Sequence, residues 1–283
     1  MRDICFIDKT FDSTQTSNYH LSVQIGLDGL YFTILDLSKG KYILLNGHHF
    51  FLKRPRLLLK HVREVFEVED VLNQTFKSVE ILYSTRKFTL VPQAFFKKGV
   101  EEKLLWFNNV EERGFNVIKN LFTKAGAYCI FDIPENLQSF LSEKFPKCEI
   151  KHTLYPLVEG ALKRNWSSAK KVQVYLNFFR DQFELVVVKG SALVYSNMFH
   201  YKTERDILYH VLFTFDQLKL ASDQSDLILQ GQLPQVSPVY HLFKKYVKLT
   251  SFARLDTTYQ YSYTFSQVPE HYYSTLLSVY KCE

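Results

Sequence analysis

The chain has 283 residues, 46% hydrophobic and 23% charged, with a net charge of +6. That length buries about 75% of the unfolded surface and serves one large or two medium domains, the balance excludes long disordered segments, and the modest charge lacks the concentrated basicity of a dedicated nucleic-acid binder. Cys5, Cys129, Cys148 and Cys282 stand at no metal-clasp or redox spacing; the charged start is no signal peptide, no apolar run reaches the roughly 18 residues of a membrane span, and a cytoplasmic location is expected.

In chain order, residues 21–46 predict three strands, LSVQIGL, LYFTILDL and YILLN, with turns at Asp28-Gly29 and at SKGK. Asp-Gly suits a tight hairpin loop because glycine takes positive φ freely. The partial alternation fits a sheet covered on both faces. From Arg54 to Phe76, Leu58, Val62, Val65 and Phe66 recur at helical spacing, with Pro55 in the first turn. Strands follow at 78–83 and 87–92, then a helix over 93–109 with Gly99 as its weak point. Residues 116–122 and 127–134 predict a second hairpin, followed by a helix at 134–145, a strand at 148–154 and a helix at 155–165. WSSAKK (166–171) is polar, small and basic, and marks the boundary between a first half, 1–166, and a second, 167–283.

The second half repeats the first. Val-Gln-Ile at 23–25 precedes Lys39-Gly40, and Val-Gln-Val at 172–174 precedes Lys189-Gly190. YILLN and ALVYSN end at Asn46 and Asn197, and a helix then leads to SVEILY in one half and SDLILQ in the other. The shared order of three strands, helix and strand points to two related α/β units.

Such a duplicated unit resembles the actin-like ATPase (ribonuclease H-like) fold, with the second half similar to pilus-assembly and cell-division members. Nearly the whole chain resembles an uncharacterised bacterial family known only as a domain of unknown function. The most specific stretch is LILQGQLPQVSPVYHLFKKYV (227–247), which resembles the adenosine segment of those ATPases. The resemblance implies phosphate loops at Asp28 and Gly29 and at the second turn, LNFFRDQ, with Asn177 and Asp181, and an adenosine contact at Gly231.

All three are weakened. Apolar Leu27 and Leu30 flank the first turn, the second has no glycine and carries Phe178 and Phe179 where phosphates would lie, and Gln232 follows Gly231 in place of a second glycine. Phosphoryl transfer needs a metal and several oriented donors, which such loops would not supply. The expectation is a pseudo-ATPase with no cofactor and no catalytic or metal residues, acting as a binding or scaffold module for a protein partner. The alternative is a divergent ATPase or kinase taking ATP and magnesium, with Asp28 and Asp181 on the metal.

Other features have plainer readings. His48 and His49 are adjacent on a strand and point to opposite faces; His200 and His210 are ten apart and flank a helix start, so a shared metal would need a carboxylate partner nearby. Three basic clusters, Lys53–Arg63, Lys163–Lys171 around Trp166, and Lys244–Lys248, read as solvated faces, or as an RNA or DNA backbone contact with Trp166 free to stack. Tyr259, Tyr261 and Tyr263 read as one face of a strand, for core packing or for a partner, ahead of a final helix.

Overall fold

The computed structural model describes residues 4–165 and 171–282, without the side chains of 281 and 282. The boundary expected within 166–171, together with Trp166 and Lys170, lies outside these residues except for Lys171. Strands β1 (Ile4–Ile7), β2 (Tyr19–Gly26), β3 (Gly29–Asp36) and β4 (Lys41–His49) are antiparallel neighbours, and β2 and β3 are buried along their whole length. Helix α1 (Leu58–Val68) follows a short turn begun by Pro55 and buries Leu58, Val62, Val65 and Phe66, the stripe its spacing predicts. Strand β5 (Ser78–Tyr83) returns parallel to β2.

An insertion comes next. β6 (Phe88–Pro92), α2 (Glu101–Trp106), β7 (Phe115–Phe122) and β8 (Ala127–Pro134) build a three-stranded sheet in the order β6-β8-β7. The helix expected over 93–109 is reduced to α2, because Gly99 adopts φ +89° and breaks the helical path. Helix α3 (Glu135–Lys144) leads to β9 (Ile150–His152), shorter than the strand expected over 148–154, and on to α4 (Leu154–Asn165).

The second sheet contains β10 (Val172–Phe178), β11 (Gln182–Lys189) and β12 (Ala192–His200). Helix α5 (Glu204–Gln217) starts in a capping box in which Thr203 and Asp206 satisfy each other's main-chain N–H groups. β13 (Ser225–Gly231), α6 (Pro238–Tyr246) and β14 (Leu249–Phe252) complete this part, and α6 is capped by Ser237 with Pro238 in its first position. The two sheets share one plan: β4-β3-β2-β5-β9 and β12-β11-β10-β13-β14 run in the same order, with two antiparallel pairings followed by two parallel ones. The duplication is thus explicit in the topology.

Helix α4 joins the halves physically as well as in sequence. Nearly every residue from Leu154 to Leu162 is buried, and one hydrophobic cluster includes Leu154, Leu157, Val158 and Ala161 together with Tyr175, Val186 and Val188 of the second sheet. A helix buried on every side belongs inside a core, and its one buried carboxylate, Glu159, is met there by the Lys124 ammonium.

The last segment runs back to the first sheet. Strand β15 (Gln260–Tyr261) pairs parallel to β4, and the Tyr261 ring stacks on Tyr42 at 5.5 Å and 7° while Tyr259 meets Tyr42 edge-on. Phe265, Tyr273, Leu276 and Leu277 pack over Tyr31, Leu35 and Leu45. The tyrosine row is therefore mostly packing, but the strand is too short to hold all three: Tyr263 begins a 3-10 turn and is 59% exposed. The closing segment is 3-10 rather than α-helical.

Candidate functional site between the two halves

The β2–β3 connection is a two-residue loop of Leu27 and Asp28, flanked by the pair Gly26 and Gly29. Gly29 is not among the described residues with positive φ, so the turn does not use it as Asp-Gly hairpins usually do. Its glycine is required by space: a Cβ there would lie 2.6 Å from the His48 carbonyl oxygen and 2.8 Å from the Tyr31 hydroxyl. The chain beyond β4 locks the loop from outside, Phe50 and Leu52 donating their amides to the carbonyls of Asp28 and Leu27 at 2.8 and 3.1 Å.

This leaves the Asp28 carboxylate enclosed, 9% exposed, with Oδ2 lacking a hydrogen-bond partner among the described residues. Burial, helped by the negative charge of Asp181, raises it to about 6. The β10–β11 turn bearing Arg180 and Asp181 thus faces the β2–β3 loop across the halves, and the Arg180 guanidinium lies 4.0 Å above the Phe51 ring. Two further groups approach from other elements. Ser84, after β5, has a buried hydroxyl beside Gly26 with no partner among the described residues, and Arg86 lies within electrostatic reach of Asp181. Tyr201 closes the turn from behind by donating its hydroxyl to the carbonyls of Phe179 and Arg180. Burial and the charges of Asp181 and Asp28 push this phenol up to about 12.

Phe178 corrects an expectation. It lies two residues after Leu176 on β10 and so shares its face, packing with Phe183 and Tyr201 in the core of the second half and not where phosphates would lie. Phe179 is also buried, and its amide closes the turn on the Gln182 carbonyl.

Asn177, on the opposite face of β10, turns inward. Its amide donates to Glu184 Oε2 at 2.8 Å, and Thr153 donates to Glu184 Oε1. Full burial raises this glutamic acid to about 7. Glu184, Thr153, Ser84 and Arg86 belong to none of the motifs that the sequence offers. Glu184 alone carried a signal, being the one charged residue in FELVVV.

Gly231 ends β13 at φ +82°, and a Cβ would lie 2.2 Å from the Phe178 carbonyl oxygen. Its amide donates to the His271 carbonyl at 2.8 Å, while the His271 ring bonds the Leu233 carbonyl. The C-terminal segment therefore sits on the strand end that resembles an adenosine contact. Asp28 and Asp181 are brought together, Asn177 and Gly231 likewise, but the C-terminal segment lies over the second pair.

Elsewhere the histidines divide as expected. His48 is buried on Glu69 at 2.7 Å and His49 is exposed, and no group of three metal-ligating residues occurs among the described residues. The basic clusters lie on separate elements: Lys60 and Arg63 on α1, where Arg63 covers the Phe140 ring, and Lys244 on α6 over Tyr240. Among the described residues no helix is long and apolar enough to cross a membrane.

Two sheets of one plan, facing each other through their first hairpin turns, define the actin-like ATPase fold. A protein of Bacteroides thetaiotaomicron VPI-5482 with that fold and unknown function superposes with a TM-score of 0.77 at 22% identity, over 86% of this chain and 94% of that one. The PilM-PilN type IV pilus biogenesis complex matches with a TM-score of 0.59 at 9% identity, over 93% of this chain and 98% of that one. Residues 8–249 match the family described as "Protein of unknown function (DUF3822)", and the chain belongs to it. No curated protein matches the sequence.

Proposed function

We propose that this chain is a cytoplasmic protein-binding or scaffold module that has kept the actin-like architecture without an ATP cycle. The observation that carries this reading is the hydrogen bond from the Gly231 amide to the His271 carbonyl, since the main-chain donor available to an adenosine is used by the protein itself. The Asp28 environment agrees. Its carboxylate is enclosed, whereas a phosphate-bound metal needs an accessible oxygen. The similarity to a component of a pilus-assembly complex supports a role in protein assembly, and three described cysteines without disulfides suit a reducing compartment. Isothermal titration with magnesium ATP tests the reading. No heat at micromolar nucleotide is expected; micromolar binding overturns it.

One observation favours a divergent ATPase as the second reading: Asp28 and Asp181 approach each other from the two hairpin turns. Turnover of ATP by the wild type that is lost in Asp28→Asn would establish it, and equal or absent turnover removes it.

A further inference from the structure

A groove of about 650 Å³ runs between the insertion and the second half, lined on one side by β6 and on the other by β12. Both are edge strands, since among the described residues β6 pairs only with β8 and β12 only with β11. The direction of their free main-chain groups follows from the ladders. Lys87 accepts from Asp132 and Gln93 donates to Gly126, so the odd-numbered residues of β6 face β8 and the main chains of Phe88 and Leu90 face away. On the other side Tyr201 donates to Asp181, and the Met198 amide is taken by its neighbour, the Asn197 side chain, at 2.8 Å. Ser196, two residues before Met198, therefore also presents its N–H and C=O away from β11.

Such edges are ordinarily protected by charge, proline or a covering element. Residues 192–200, ALVYSNMFH, contain no lysine, arginine, carboxylate, proline or glycine, and Val194 is 44% exposed. Two unpaired rims facing one cavity have the form of a gap in a sheet. The groove also holds specific polar groups: the Ser196 hydroxyl is buried with no partner among the described residues, Asn108 and Asn109 lie along the insertion side, and Arg86 stands among the lining residues. The Arg86 guanidinium makes no hydrogen bond or ion pair among the described residues. A guanidinium so placed selects a carboxylate.

The geometry points to this groove as the receptor for an extended segment of a partner protein, which adds as a strand between β6 and β12 and sets an acidic side chain or a terminal carboxylate against Arg86. Main-chain pairing supplies the affinity and the alternating apolar residues of the segment the specificity. A segment of ordinary strand length, about five residues, is sufficient. This deepens the binding reading above and does not depend on the loss of nucleotide binding, so calorimetry with ATP and the experiment below fail separately.

A library of random twelve-residue peptides displayed on phage is selected against the full chain, and enriched peptides are measured by fluorescence anisotropy. Enrichment of alternating apolar sequences with a carboxylate is expected. Ser196→Pro and Leu90→Pro each remove one outward N–H while leaving the ladders to β11 and β8 intact, and each should weaken binding by about three- to tenfold with unchanged circular dichroism. Arg86→Gln should reduce binding of acidic peptides and equalise it with their amide counterparts. Hydrogen exchange on the wild type needs no folded variant, and added peptide should slow exchange at 88–90 and 194–196. No enrichment, undiminished binding in both proline variants, or protection confined to other segments overturns the proposal.

Discussion

Thr153, at the end of β9 in the first half, donates its hydroxyl to Glu184 in the middle of β11 at 2.5 Å. A carboxyl from one sheet is thus held by a hydroxyl from the other, with Asn177 as the second donor. Buried there, Glu184 keeps its proton to about pH 7, against about 4.3 for an ordinary glutamic acid. Folding consequently takes up a proton. The stability tied to it is complete below about pH 4.3 and is lost as pH rises through about 7. The urea midpoint of the wild type should contain a downward component between pH 5 and 8, and Glu184→Gln should flatten that component, the loss being on the order of 3 kcal/mol. A slope unchanged by the substitution would place the proton elsewhere.

His152 gives the opposite sign. The Thr85 carbonyl can only accept and the Leu154 amide can only donate, so the ring is neutral with its proton on Nε2. Burial between the Phe88 and Phe131 rings lowers it to about 4. Its contribution is complete above about pH 6.5 and is lost as pH falls through 4, because the unfolded ring takes up the proton first. In urea titrations between pH 4 and 7.5, His152→Gln should lower stability at neutral pH by about 1–3 kcal/mol and reduce the acid slope.

Glycine substitutions should separate two causes. Gly231→Ala places a Cβ at 2.2 Å from the Phe178 oxygen in a left-handed conformation and should cost 3 kcal/mol or more on the order of strained backbone positions. Gly126→Ala has a similar φ, +60°, and open space, and should cost only about 1 kcal/mol. Thermal unfolding of the pair measures the difference, and equal melting temperatures would show that the close approach at Gly231 relaxes freely.

The tail contributes through its rings. Tyr261→Ala removes the stack on Tyr42 and part of the cover over the first sheet, with an expected loss of about 2 kcal/mol. Tyr263→Ala, at an exposed position, should change stability by less than about 0.5 kcal/mol.

These effects also explain what was legible in the sequence. The strand–strand–strand–helix–strand order of each half could be read, because periodicity and the Lys-Gly turns are local signals. The Asp28-Gly29 pair was placed in the right hairpin for an incomplete reason: Gly29 is glycine because of His48 and Tyr31, which come from other positions in the sheet. Phe178 departs from its expected place for a related reason, since its face is fixed by counting back along β10 to Leu176. The meeting of Asp28 with Asp181, the Thr153–Glu184 bond and the cover of Gly231 by His271 join residues more than 30 positions apart, and no spacing rule reveals them.

Helix α4 has a consequence for how the molecule behaves as a whole. Its residues are buried against both sheets at once, so it works as a shared axle and belongs to neither half alone. Any rocking of one sheet against the other must turn about this helix without wetting it. Cut on either side of α4, one fragment would carry the buried Leu154, Leu157, Val158 and Ala161 into water and the other would lose its inner wall.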